Sequence, residues 1–184
     1  VTEDKNLLMI LGTSSVYILN SKEEKKVDGI TGLGYECIVP NYYSYESAQA
    51  SVGDTFEWYI ENALPNSYYE NAKKENKKIH NYLREKAERL KPGESGLLFL
   101  DWLNGNRSTL TDANLTGALI GLNLNTKPEE IYRALIEGTA FGARVILENY
   151  VNSGVPIEKA TATGGISQKD PMLMQIYADV LNRE

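Results

Sequence analysis

The segment from Ala160 to Leu181 constrains the fold most, because it changes from a strand pattern to a helix pattern at a pair of glycines. It starts with small and β-branched residues, turns at Gly164-Gly165, and continues into an amphipathic run opened by Asp170-Pro171. Asp is a favoured N-cap and Pro fits the first helical position. A strand, a glycine turn and a helix N-terminus can meet an anion or a nucleotide, although a plain turn is the commoner outcome.

Length and composition are those of an ordinary globular domain. The 184 residues suffice for one domain with a real core. A net charge of −6 argues against nucleic-acid binding, which needs a basic face. One cysteine and one histidine argue against a zinc site of the usual kind. Cys37 stands in an apolar run and is predicted to be buried, and the lack of a disulfide framework suits the cytoplasm.

A second glycine turn lies near the start of the chain. The apolar runs Asn6–Leu11 and Val16–Leu19 flank Gly12-Thr13-Ser14, a pattern that predicts two short strands joined by a turn. The turn could simply be tight, or it could bind phosphate through the N–H and hydroxyl groups of Thr13 and Ser14. The residues of the turn favour neither alternative.

The middle of the chain predicts one further strand and two charged or amphipathic helical regions. The strand is placed at 35–39, and a 3.6-residue apolar stripe predicts a helix over 47–61. Gly53 falls inside that helix, where it would permit close approach of either a ligand or another helix. Residues 67–90 are predicted to be helical, with His80 on the surface.

A loop rich in functional side chains follows a predicted buried strand at 97–100. It contains Asp101 and Arg107, which could serve a binding site or could pair with each other to staple the loop. A short helix is predicted over 112–122. A capping box at 126–129 then opens a helix that extends to about residue 152, with small residues for close packing on one side.

Strands joined by tight turns and then strands alternating with helices indicate an α/β sheet layered with helices. No run of about 20 apolar residues predicts a membrane span. Because the chain begins at Val1 without a methionine and stops just past a helix, it is predicted to be a piece of a longer protein.

Longer motifs resemble the FGGY family of carbohydrate kinases, which shares a superfamily with actin and Hsp70. The two glycine turns stand about 150 residues apart, in that family's order. Residues 164–180 resemble its C-terminal adenosine motif, and residues 100–107 resemble a segment particular to the branch that acts on L-ribulose. Segments 37–40, 46–58 and 139–144 match the same branch, so the resemblance covers nearly the whole chain.

The resemblance implies an α/β fold of the actin-like, or ribonuclease H-like, ATPase type, with residues 1–184 as the C-terminal nucleotide-binding domain. It implies ATP as the phosphoryl donor, or ADP as its product, with Mg²⁺ held through the phosphates and no metal bound by side chains. The residues assigned by resemblance to the β- and γ-phosphates are Gly12, Thr13 and Ser14.

The resemblance assigns the remaining site residues to the adenosine end of the nucleotide. Gly53 would let the following helix approach the nucleotide, with Glu57 nearby. The residues that would hold the adenosine or wall its base pocket are Gly164, Gly165, Ser167, Asp170 and Met174.

In the resembling family, an N-terminal domain supplies the catalytic Asp and most of the sugar site. L-ribulose would therefore bind through a segment before Val1, and these 184 residues alone are expected to be inactive. The family's last strand and helix follow the position of Leu181 and are expected to be missing. Ser108-Thr109 stands where Thr-Pro is usual, which leaves the shape of that loop open.

Three alternatives remain at this stage. The parent protein could phosphorylate another pentulose such as xylulose. The chain could be a non-catalytic actin-like module that binds a protein partner. A domain without its last strand could also form homodimers through an exposed sheet edge. The composition and the resemblance point to no nucleic-acid or membrane partner.

Overall fold

The computed structural model describes residues 4–183. Its strands are β1 Asn6–Leu11, β2 Ser15–Ser21, β3 Gly32–Tyr35, β4 Tyr43–Gln49, β5 Leu98–Leu100, β6 Ala118–Ile120 and β7 Lys159–Thr163. Its helices are α1 Gly53–Ala63, α2 Asn66–Lys74, α3 Ile79–Ala87, α4 Pro128–Asn152, α5 Gly165–Lys169 and α6 Pro171–Leu181. The elements confirm the α/β class predicted from the sequence.

A five-stranded sheet in the order β3-β4-β2-β1-β7 forms the centre of the fold. Strands β1, β2, β4 and β3 pair antiparallel, whereas β7 pairs parallel to β1. Because parallel neighbours need a crossover, the long helix α4 leads into β7. This pairing brings the end of β1 beside the end of β7, with Ile10 opposite Thr163. The two glycine turns therefore meet at one edge of the sheet.

One face of the sheet is covered by helices. Leu7, Met9 and Leu11 alternate along β1 and belong to one buried cluster with residues of α4 and α6. On the opposite face Ile10 remains 38% exposed. The period of two along β1 therefore separates a helix-covered face from a more open one.

Helix α4 begins and packs close to where the sequence predicts. Its first turn is closed by a hydrogen bond from the N–H of Lys127 to the Glu130 carboxylate, 2.6 Å, one residue later than the predicted capping box. A Cβ at Gly138 would lie 2.6 Å from the carbonyl oxygen of Phe99, so the glycine lets α4 touch β5. The expectation of close packing at this small residue is confirmed.

The predicted helix over 47–61 is wrong in its first half. Residues up to Gln49 belong to β4, which pairs with β2 from Tyr43 to Gln49, and α1 begins only at Gly53. The apolar positions of 47–61 fit a helical stripe only by coincidence. The end of β4 buries small polar side chains such as Ser47 as well as apolar ones, and this burial comes from the sheet. Gly53 is consequently the first helical residue and not an interior one.

Three further expectations need correction. The strand predicted at 35–39 is instead Gly32–Tyr35, and Cys37 is exposed in the loop that follows, where its Sγ contacts the Tyr35 carbonyl oxygen at 3.6 Å. The predicted helix at 112–122 contains β6, which pairs with β5. The β5 strand itself is not buried, since Leu98 is 66% exposed.

The helical region predicted at 67–90 consists of two helices, α2 and α3. The chain breaks between them at Asn76, whose φ of 51° lies in the left-handed region. Within residues 4–183, no helix combines the length and hydropathy that crossing a bilayer requires.

Candidate functional site

Residues of both glycine turns line one cleft with a volume of about 780 Å³. One wall is the β1–β2 turn (Gly12, Thr13, Ser14) together with the start of α1. The other walls come from α3, from α4 and from the segment that includes α5 and the start of α6. The lining residues are Gly12, Thr13, Gly53, Asp54, Phe56, Glu57, Lys78, His80, Asn81, Arg84, Tyr132, Gly165, Ile166, Lys169, Asp170 and Leu173.

The N-terminus of α1 holds the β1–β2 turn from behind. The N–H of Val52 donates to the carbonyl oxygen of Thr13 at 2.8 Å, and the N–H of Gly53 donates to that of Gly12 at 3.0 Å. The N–H of Asp54 also reaches Thr13 O, at 3.3 Å. These N–H groups have no partner within their own helix, so the turn's carbonyl groups act as the cap of α1.

Gly53 makes this arrangement possible. A Cβ at this position would lie 2.8 Å from the carbonyl oxygen of Gly12 and 3.0 Å from Cδ1 of Ile166. The glycine therefore permits close approach of α1 to the protein's own turn. Of the two alternatives drawn from the sequence, helix packing or ligand, the contact found is with neighbouring protein, although Gly53 also lines the cleft.

The donors of the β1–β2 turn are only partly available to a ligand. The N–H of Gly12 donates to the carbonyl oxygen of Ser14 at 3.0 Å, so the Gly12 amide is already used within the turn. The described residues contain no hydrogen-bond partner for the hydroxyls of Thr13 and Ser14. Thr13 lines the cleft, whereas Ser14 is not among the lining residues.

The glycine pair at the end of β7 has two different roles. Gly164 has φ of 107°, and a Cβ there would lie 2.3 Å from the carbonyl oxygen of Leu11. Only a glycine fits here, because any Cβ would overlap the backbone of β1, and Gly164 does not line the cleft. Gly165 lines the cleft, and a Cβ there would meet nothing within 4 Å. Of these two glycines, only Gly165 borders open space in the cleft.

Helix α6 begins as predicted, and its cap uses the side chain of Asp170. The N–H of Leu173 donates to the Asp170 carboxylate at 3.0 Å. This carboxylate makes the N-terminus of α6 unfavourable for an anion. Ser167 donates to the carbonyl oxygen of Gly164 at 2.9 Å and stays outside the cleft, as does Met174, which packs on the core.

Helix α3 supplies a wall that sequence reasoning missed. His80 is on the surface, as expected, but it lines the cleft and its Nε2 lies 3.0 Å from the Glu57 carboxylate. Lys78 and Arg84 lie on the same wall, and Arg84 donates to the carbonyl oxygen of Lys169 at 2.8 Å. A charged helix gives no local signal of which residues face a cleft, since the wall forms through long-range contacts.

The loop after β5 lines a separate cavity of about 260 Å³, together with Gly138 and Gly142 of α4. Asp101 and Arg107 both line it, but within residues 4–183 no ion pair joins them. Asp101 instead accepts a hydrogen bond from the Gln49 amide, so the alternative in which Asp101 and Arg107 pair to staple the loop is not found. Burial raises the pKa of Asp101 to about 6, and the Gln49 bond opposes this only in part.

The raised pKa predicts a pH dependence that Asp101→Asn should remove. The folded chain holds this proton more tightly than the unfolded chain, so stability falls as pH rises from about 4 through 6. The unfolding free energy of the asparagine variant relative to that of the wild type should rise by about 2 kcal/mol between pH 4 and pH 7. Urea unfolding at several pH values measures it, and parallel curves would contradict the assignment.

Comparison with known sequences supports the resemblance. The family model for the C-terminal domain of the FGGY family of carbohydrate kinases matches residues 7–184. A ribulokinase of Bacillus licheniformis is 51% identical over 184 residues, which are 100% of this chain and 33% of that protein. A ribulokinase of Anoxybacillus flavithermus is 50% identical with the same coverage. The chain thus spans about a third of the length of the curated relatives it matches.

Solved structures confirm the expected fold. The xylulose kinase from Rhodospirillum rubrum superposes with a TM-score of 0.81 at 24% identity, covering 99% of this chain and 34% of that one. The Plasmodium falciparum glycerol kinase with ADP superposes with a TM-score of 0.72 at 19% identity, covering 96% of this chain and 34% of that one. These sugar kinases have the actin-like ATPase fold, and their superposition on nearly all of this chain shows that it has the same fold. The chain therefore belongs to the FGGY family of carbohydrate kinases, within its C-terminal domain.

Proposed function

We propose that this chain is the ATP-binding part of a cytoplasmic kinase that phosphorylates L-ribulose to L-ribulose 5-phosphate in L-arabinose catabolism. The observation that carries the proposal is the single cleft shared by the β1–β2 turn and Gly165. Identity of 50% and more to two ribulokinases supports the choice of sugar. The volume of about 780 Å³ is in the range of small-molecule and cofactor sites.

The cleft suggests how the nucleotide lies. The adenosine part fits beside Gly165 and Leu173, where no side chain fills the space at the glycine. The phosphates fit at the β1–β2 turn, where the described residues offer no hydrogen-bond partner to the Thr13 hydroxyl. Mg²⁺ bound to the ATP phosphates would neutralise charge as the γ-phosphoryl group is transferred. The turn's role is to orient the phosphates while α1 keeps its backbone fixed.

The proton acceptor for the sugar hydroxyl is proposed to lie outside these 184 residues. Three carboxylates line the cleft: Asp54 stands in the first turn of α1, and the other two already have side-chain or helix-cap partners. Asp170 caps α6, and Glu57 lies beside His80. The relatives are about three times as long as this chain, which leaves room for a sugar-binding domain that supplies the base.

Thr13→Val should weaken MgADP binding about fivefold, because it removes a free hydroxyl donor and keeps the shape of the side chain. Adenosine should bind the variant as tightly as it binds the wild type, since it has no phosphate. Isothermal titration with both ligands measures the two affinities. Thr116→Val, at an exposed site outside the cleft, is the control and should change neither. Equal losses for adenosine and MgADP would contradict the placement of the phosphates.

A chimera tests the whole activity. This chain would replace the matching third of the Bacillus licheniformis relative, with which it is 51% identical. The chimera should phosphorylate L-ribulose with ATP in a coupled assay and should turn over little D-xylulose. A folded chimera that prefers D-xylulose would contradict the proposed sugar. A folded chimera that binds sugar but never transfers phosphate would contradict the kinase role of this domain.

A further inference from the structure

The β1–β2 turn is held by the segment that connects β4 to α1, and that segment starts at Gln49. Gln49 is the last residue of β4 and lies opposite Ser15, the residue directly after the turn. Three residues later Val52 begins the run of N–H groups that bind the turn's carbonyl oxygens. The position of Gln49 therefore sets where this connecting segment leaves the sheet.

The Gln49 side chain is fixed at three points. Its amide nitrogen donates to Oδ2 of Asp101 at 2.5 Å and to the carbonyl oxygen of Thr139 at 2.9 Å. Its amide oxygen accepts from the hydroxyl of Tyr17. Gln49, Tyr17 and Thr139 are all buried, so these bonds lie away from competing water. Strand β2, helix α4 and the loop after β5 are thereby tied to one side chain.

Asp101 belongs to the same arrangement through α4. A Cβ at Gly142 would lie 2.3 Å from Oδ2 of Asp101 and 2.4 Å from Nε2 of Gln49. Only a glycine on α4 leaves room for the carboxylate and the amide to meet. Asp101 is itself buried, with 9% of its surface exposed, so its orientation is set by these neighbours and not by solvent.

We propose that Gln49 and Asp101 are positioning residues that hold the β4–α1 connection, and through it the β1–β2 turn, in the geometry that receives the nucleotide's phosphates. The role rests on the proposed nucleotide site. Neither residue lines the 780 Å³ cleft, so they act through the backbone of residues 50–53 and touch no ligand. Loss of either bond frees the connection, and the turn then spends less time in the binding geometry.

A merely structural role makes a different prediction. Loss of buried hydrogen bonds would lower stability and leave ligand discrimination unchanged. A positioning role lowers the affinity for MgADP selectively and spares adenosine, which does not reach the turn. The ratio of the two dissociation constants therefore separates the roles, independently of how much stability each variant loses.

The experiment measures adenosine and MgADP binding to the 184-residue chain by titration calorimetry. Gln49→Ala and Asp101→Ala should each raise the dissociation constant for MgADP about tenfold and leave that for adenosine within about twofold. Asp101→Asn keeps an acceptor for the Gln49 amide and should restore most of the MgADP affinity. Tyr17→Phe deletes one hydroxyl while keeping the ring, and should raise the dissociation constant for MgADP by about threefold. It tests the proposal even if the alanine variants fail to fold.

Ile157→Ala is the stability control. Ile157 is buried near the start of β7, at the end of the sheet opposite the cleft, so its loss should lower the unfolding midpoint without changing either affinity. The inference is overturned if Gln49→Ala and Tyr17→Phe bind MgADP like the wild type, or if Ile157→Ala shows the same selective loss. Wild-type chain that binds neither adenosine nor MgADP would instead overturn the proposed function itself.

Discussion

Replacing Gly165 by valine should weaken MgADP binding at least about tenfold while leaving the free energy of unfolding nearly unchanged. Gly165 lines the cleft, and its Cβ position has no neighbour within 4 Å. A valine side chain therefore enters space that the protein leaves open and that the adenosine is proposed to occupy. Titration calorimetry gives the affinity, and urea unfolding gives the stability.

Gly32→Val provides a matched control for this prediction. Gly32 in β3 also has open space at its Cβ position, and it does not line the cleft. It should tolerate valine with no change in MgADP affinity. If Gly165→Val bound MgADP as tightly as the wild type, the space beside this glycine could not be the adenosine site.

Gly164→Ala should lower the free energy of unfolding by about 3 kcal/mol or more, the second large effect expected. The φ of 107° is unfavourable for alanine, and its Cβ would overlap the Leu11 carbonyl oxygen at 2.3 Å. The added atom must push β7 away from β1, where the two glycine turns meet. Urea unfolding monitored by circular dichroism measures the loss.

Gly154→Ala separates the two causes of that loss. Gly154 also has a left-handed φ, 83°, but nothing lies within 4 Å of its Cβ position. The Gly154→Ala variant should lose only about 1 kcal/mol of unfolding free energy, which is the cost of the backbone conformation. Equal losses at the two glycines would mean that β1 and β7 do not approach as closely as described.

Local signals in the sequence predicted the parts of the fold that depend on neighbouring residues. The start of α6 is marked by Asp170 and Pro171, whose capping roles need only the helix itself. The strands around the β1–β2 turn show alternation or short apolar runs, and α4 has a long helical pattern with a Gly154 stop. Each of these signals lies within a few residues of the element it defines.

Elements fixed by distant partners could not be predicted in the same way. Strand β4 owes its extended form to pairing with β2, which overrode a helical stripe that includes Ala48 and Val52. Strand β6 is extended because it pairs with β5, about 20 residues away. Cys37 was expected in a core strand, but the chain turns after β3 and leaves it exposed.

The candidate site also contains residues with a local sequence signal and residues that only long-range contacts bring together. The glycine turns gave a local signal, and the fold brings Gly12, Thr13 and Gly165 to one cleft. The α3 wall with His80, and the bond between Gln49 and Asp101, join residues far apart in the chain. No spacing rule within the sequence could have paired them.

The most direct test of the central claim is a calorimetric titration of MgADP into the 184-residue chain. The nucleotide cleft predicts saturable binding of one MgADP per chain, weaker without Mg²⁺ and largely lost in Gly165→Val. A folded chain that shows no saturable binding at millimolar MgADP would contradict the claim. So would MgADP binding that is equally tight in the wild type and in Gly165→Val.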